Sequence, residues 1–234
     1  MKRQSAILCT VMSVYSLGSQ MAYAQATGTY VGPSPAQIPD RAGISKEDRA
    51  RIAMYRYAEC VVDKSRARVE KYLETFPGSK TARDSADRLA VDACLSTGHM
   101  RFSETVFRSG VYDVFYRKQF QKDGPVDFSA VLPIDYSTGG EVQPDAVVQP
   151  HVSLRRISEC AVRKAPQESR ELILSMVASN AEASALDKIV PSVGSCVAEG
   201  NQLVFSRSAL RGVIGEVLYR LSVAASQPTI AAKD

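Results

Sequence analysis

Two stretches decide the fold: Arg56-Tyr-Ala-Glu59-Cys60-Val-Val62-Asp-Lys64 and, one hundred positions later, Arg156-Ile-Ser-Glu159-Cys160-Ala-Val162-Arg-Lys164. Both read R-x-x-E-C-x-V-x-K. A second shared block follows each. Phe102-Ser103-Glu-Thr-Val-Phe107-Arg108 matches Phe205-Ser206-Arg-Ser-Ala-Leu210-Arg211, and the match continues without a gap to Tyr116-Arg117 and Tyr219-Arg220. Between the blocks each stretch carries one more cysteine, Cys94 or Cys196. A long internal match of this kind marks a duplicated supersecondary unit.

Working outward, each unit reads as four helices. In the first, Ser45 is a candidate N-cap with Asp48 three residues on, and helical spacing runs to about Lys64. A second helix is expected from about Arg66 to Phe76, ending at Pro77-Gly78. A third spans about Thr81 to Leu95, and a fourth follows Ser103 with Phe107, Val111, Val114 and Phe115 as its apolar stripe. In the second unit Pro166 opens the second helix, and Pro191 is expected to kink or break the third. The fourth follows Ser206 with Leu210, Val213, Ile214, Val217, Leu218 and Leu221. Asp113 with Arg117, and Glu216 with Arg220, are acid-before-base pairs at (i, i+4). The expected fold is therefore all-α, two pseudo-repeated four-helix units at residues 45–120 and 151–224.

The flanks have different chemistry. Lys2 and Arg3 precede an apolar run from Ala6 to Leu17, and Ala22-Tyr23-Ala24 places small residues where a signal peptidase reads them. Residues 1–24 are thus expected to be a cleaved signal peptide, with Cys9 lost alongside it. The apolar run is shorter than the roughly 20 residues that span a bilayer, so the mature chain is expected to carry no transmembrane segment. Residues 25–44 read as a flexible leader, 121–150 as a Pro/Gly linker and 225–234 as a tail. The run from Phe128 to Tyr136 is expected to dock without regular structure.

Charge excludes some partners. Of 29 basic residues, removing Lys2 and Arg3 leaves 27 against 25 acidic, a net +2. So small a surplus gives no general case for nucleic acid. Export leaves four cysteines in an oxidising compartment, and the duplication selects Cys60 with Cys94 and Cys160 with Cys196, separations of 34 and 36. Bridges over loops of that length are each worth about 3 to 4 kcal/mol in the chain-entropy model. No C-x-x-C pair supports a metal alternative, and no cofactor motif is present.

Few residues are suited to catalysis. The only histidines, His99 and His151, fall at different positions in the two units and read as loop and helix-start residues. Ser103 and Ser206 read as caps, Tyr116 and Tyr219 as packing residues. Glu59 and Glu159 are the candidate polar site: either carboxylates meeting between the units, as paired acids or a cation site, or partners of Arg56 and Arg156, or of Arg108 and Arg211.

The signal peptide, the two E-C blocks and the Leu210-Arg-Gly-Val-Ile-Gly-Glu-Val-Leu-Tyr-Arg220 ending resemble a group of uncharacterised exported alphaproteobacterial proteins of the sphingomonad type. The resemblance implies export and helices and supplies no site. The leading expectation is a non-catalytic periplasmic or secreted interaction module with a protein or envelope partner. An envelope enzyme or metal-dependent protein with a site between the units, and a carrier of a small apolar ligand or lipid, are the alternatives.

Overall fold

The computed structural model describes residues 43–90, 92–95, 101–138, 143–200 and 203–227. The expected signal peptide, nearly all of the leader, His99 and most of the tail lie outside them. Among the described residues the chain is helical, without a strand: α1 Lys46–Leu73, α2 Lys80–Arg88, a 3₁₀ turn Asp92–Cys94, α3 Glu104–Phe120, α4 Asp145–Lys164, α5 Pro166–Leu174, α6 Asn180–Gly194 and α7 Arg207–Ser226.

Serine hydroxyls set where these helices begin. Ser45, Ser79, Ser103, Ser179 and Ser206 each sit in extended conformation and accept the backbone N–H three residues on, for α1, α2, α3, α6 and α7. Breaks are equally local. Ser65 is non-helical within α1 (φ −144°, ψ 34°), and Ala165, one hundred positions later, separates α4 from α5 in nearly the same conformation (φ −133°, ψ 61°). The expected first two helices of the first half are thus one bent element, and among its described residues that half has three α-helices where four were expected.

Three further boundaries differ from expectation. α2 stops at Arg88, so Cys94 sits in the 3₁₀ turn and not in a helix. α6 runs through Pro191, which lies in its last turn and is exposed. Only the carbonyl of Asp187, also exposed, loses its helical donor there. α4 begins at Asp145, inside the expected linker, with Pro144 as N-cap and Pro150 within its early turns. No helix among the described residues is long and apolar enough to cross a membrane.

Two apolar clusters form, one centred on each half, the second also taking in Tyr116 and Phe120 of α3. The first contains Val61, Val62, Tyr72, Phe107 and Phe115; the second contains Leu172, Ile173, Ile189, Ile214 and Leu218. Tyr219 packs against both, and its ring lies 5.8 Å from that of Tyr112 and 5.7 Å from that of Phe115. α3 and α7 form the most extensive helix pair. One disulfide clamps each half, Cys60–Cys94 with Cα atoms 5.7 Å apart and Cys160–Cys196 with 5.9 Å.

The segment after α3 docks on the second half. Phe128 and Tyr136 are buried in the second cluster. Arg163 donates to the carbonyls of Phe128 and Leu132, and the N–H of Ile134 reaches Glu159 at 3.3 Å. Arg170 donates to the carbonyls of Phe120, Gln121 and Lys122. Gly124 leaves room for it, since a Cβ there would lie 2.1 Å from Arg170 Nη1.

Candidate functional site

The arginines of α3 and α7 define the site. Helix C-termini leave carbonyls without donors, and Arg108 supplies them at the end of α1: it donates to the carbonyls of Leu73 and Tyr72, each at 3.2 Å, and to Thr75 Oγ1 at 2.8 Å. Arg211, its equivalent 103 positions on, does the same at the end of α5. It donates to the carbonyls of Leu172 at 2.8 Å and Ile173 at 3.1 Å, and to Ser175 Oγ at 3.2 Å. Both guanidinium groups are buried, so each needs a counter-charge.

Those counter-charges come from different places. Arg108 is met by Glu104, four residues earlier on its own helix, at 2.7 Å. Glu104 also accepts from the hydroxyl of Tyr72 at 2.5 Å and the N–H of Gly78 at 2.8 Å. Arg211 is met by Glu182 of α6 at 3.0 Å and by Asp113 of α3 at 2.7 Å. Glu182 accepts from the N–H of Ala178 at 2.9 Å and from Arg51 of α1 at 2.5 Å. Gly78 and Ala178 are themselves equivalent, and both are left-handed, with φ of +74° and +61°.

Between the halves lies a cleft of about 320 Å³. All of its lining residues except Ser206 fall into pairs separated by 100 or 103 positions, among them Tyr55 with Arg155, Arg108 with Arg211, and Asp113 with Glu216. At its base α3 and α7 approach closely: a Cβ on Gly212 would lie 2.6 Å from the Cβ of Ser109, its own equivalent.

The cleft's charged side chains are paired with one another, although Asp113 Oδ1 is buried without a hydrogen-bond partner. Arg155 holds Glu216 through two bonds, of 3.0 and 2.7 Å, and Arg220 reaches the same carboxylate at 3.3 Å. Burial alone raises the Glu216 carboxyl, but Arg155 and Arg220 outweigh it and hold the group below its ordinary value. Asp113 goes the other way: burial raises it, and Arg211 offsets this only in part. Arg117, four residues on, stands 3.9 Å from Asp113, too far for a hydrogen bond. It donates to the carbonyl of Ser175 and lies over the ring of Tyr55.

His151 lines the cleft with its ring 4.7 Å from that of Phe76. Burial first, and the Arg155 guanidinium second, lower its pKa to about 4, so the imidazole is neutral near pH 7. Because α4 begins at Asp145, His151 lies inside that helix and not at its start.

The expected polar site divides. Arg108 and Arg211 both line the cleft. Glu59 is exposed on α1. Glu159 is buried beneath Ile134 and paired with Arg163 at 2.6 Å, not with Arg156 or Arg211. The two glutamates are not brought together. Ser103 and Ser206 are caps, and Tyr116 is buried with its hydroxyl accepting from Arg170 at 3.1 Å. Glu104, Glu182, Arg51 and Arg155 complete the site without standing out in the sequence. One local signal pointed to the first, a glutamate four before Arg108; Glu182 stands three after its cap Ser179, a capping-box spacing.

No protein-family model, no curated protein and no solved structure matches this chain.

Proposed function

We propose that the protein is a non-catalytic, extracytoplasmic binding module made of two duplicated helical units, with the cleft between them as its binding site. The observation that carries this reading is the lining of the cleft by equivalent residues from both halves, meeting at Ser109 and Gly212. A pocket lined in this way exists only when both halves are present. Its arginines and carboxylates satisfy one another and the ends of α1 and α5, which is support chemistry and leaves no activated acid, base or nucleophile in that set.

The compartment is part of the proposal. The basic and apolar start of the chain with Ala22-Tyr23-Ala24 supports export and cleavage after Ala24, and two disulfides fit an oxidising destination. A paired-carboxylate enzyme or metal site loses its basis, because Glu59 is exposed while Glu159 is closed by Arg163.

Native mass spectrometry of protein recovered from a bacterial periplasm tests the reading, with Ala209→Trp as control. Ala209 is exposed on α7 at the cleft, so the new indole fills it without disturbing a core. An added mass carried by the parent and absent from the variant supports the proposal. The same mass on both, or turnover of an envelope substrate lost on Glu159→Gln, overturns it.

A further inference from the structure

The size of the cleft limits what enters it. About 320 Å³ is at the lower end of small-molecule sites and cannot receive a folded surface, which needs on the order of 1,000 Å² of contact. Its walls include Met54, Leu154, Val106 and Val213, and apolar lining with few polar groups is the usual composition of such sites.

Charge narrows the class further. Arg51, Arg108, Arg155 and Arg211 each hold a carboxylate already, at 2.5 to 3.0 Å. Their hydrogen atoms are directed at Glu182, Glu104, Glu216, Asp113 and helix-end carbonyls. An anionic ligand would have to break one of these pairs, and a cationic ligand would have to take a carboxylate from its arginine. Either leaves a desolvated charge without a partner, which is costly. An uncharged ligand disturbs none of them.

Few polar groups of the lining are left for a ligand. Among the described residues no hydrogen bond is made to the imidazole of His151, whose ring packs against Phe76, or to the hydroxyls of Tyr55 and Ser208; Asp113 Oδ1 also lacks a partner but is itself buried. A neutral imidazole offers one donor and one acceptor. We propose that the cleft binds a small, uncharged, largely apolar molecule with a hydrogen-bonding group that His151 receives. This rests on the reading of the cleft as a binding site and adds the class of its ligand.

Two dyes of one skeleton test it on the full mature chain. N-phenyl-1-naphthylamine is neutral with one N–H; 8-anilinonaphthalene-1-sulfonate adds a sulfonate. The neutral dye is expected to bind saturably with a blue-shifted emission, and the sulfonate at least about tenfold more weakly. His151→Phe, which keeps the aromatic contact with Phe76 and removes both nitrogens, weakens the neutral dye by about three- to tenfold, the worth of one net hydrogen bond. Ala209→Trp abolishes binding, with circular dichroism reporting that the variant is folded.

Equal affinity for the sulfonate overturns the inference, as does neutral-dye binding that Ala209→Trp leaves intact. If the neutral dye does not bind but the native protein carries a mass that Ala209→Trp removes, the ligand class is wrong and the binding-site reading stands. If neither is seen, both fall.

Discussion

The two arginine anchors do one job with different parts. Arg108 and Arg211 both cover the end of a helix and lie beside a carboxylate that also holds the N–H of a left-handed residue, Gly78 or Ala178. In the first half that carboxylate is Glu104, on the arginine's own helix; in the second it is Glu182, from α6. The equivalent positions are swapped in character, Arg207 for Glu104 and Ala82 for Glu182. The first anchor is thus closed within its own half, while the second recruits Asp113 and Arg51 from the first half. A buried guanidinium needs a counter-charge at a point in space, and the helix that provides it is free to vary.

Removing the recruited carboxylate breaks the comparison most severely. Glu182→Ala leaves Arg211 short of a partner and Arg51 with only Asp48, and is expected to cost about 3 to 5 kcal/mol in chemical denaturation. Adding Arg207→Glu rebuilds the first-half arrangement, a glutamate four residues before the arginine, and should recover about 1 kcal/mol or more. No recovery would mean that the two anchors are not interchangeable.

Equivalent carboxylates should respond oppositely to acid. Glu216 is held below its ordinary value of 4.5, so its stabilisation is present above that pH and is lost as pH falls through the lowered value. Glu216→Gln is expected to cost about 2 to 3 kcal/mol at neutral pH and to flatten the acid limb of the stability profile. Asp113 is raised above 3.8, so its ionisation opposes folding as pH rises through that interval. Asp113→Asn should leave the acid limb in place and remove this opposing slope, read by melting temperature between pH 3 and 7.

The crossing of α3 and α7 tests whether Ser109 and Gly212 share one space. Gly212→Ser brings a side chain to within 2.6 Å of the Cβ of Ser109 and is expected to cost about 1 to 3 kcal/mol. Ser109→Gly in the same chain should return most of that loss. The smallest effect concerns the left-handed pair. Gly78→Ala meets no neighbouring atom, so it costs only the backbone conformation, about 1 kcal/mol, and Ala178→Gly gains a similar amount. Equal and opposite shifts in denaturation midpoint would sharpen the equivalence; a silent Ala178→Gly would break it.

Much of this was legible because it is local. Ser45, Ser103 and Ser206 cap the helices that their sequence positions indicated, since a hydroxyl three residues before a free N–H is a short-range relation. Pro191 misled because proline's cost depends on which carbonyl loses its donor, and here an exposed last turn absorbs it. The candidate site was only half legible. Arg108 and Arg211 stand out by recurring in both halves, but Glu59 and Glu159 stand out merely by lying beside cysteines, and helix rotation sends one to solvent and the other under Ile134.

The sequence by itself determined the helical class, the offsets of 100 and 103, the cysteine spacing and the caps, because periodicity, capping and residue count act within a few positions or repeat along the chain. Tertiary structure alone decided which charges meet. Asp113 was a candidate partner of Arg117 at (i, i+4), yet it binds Arg211 at 2.7 Å while Arg117 stays at 3.9 Å. Helix geometry fixes which side chains are neighbours on one surface, but the dielectric and the partner offered by the facing helix choose among them, and those exist only once α3 and α7 have packed.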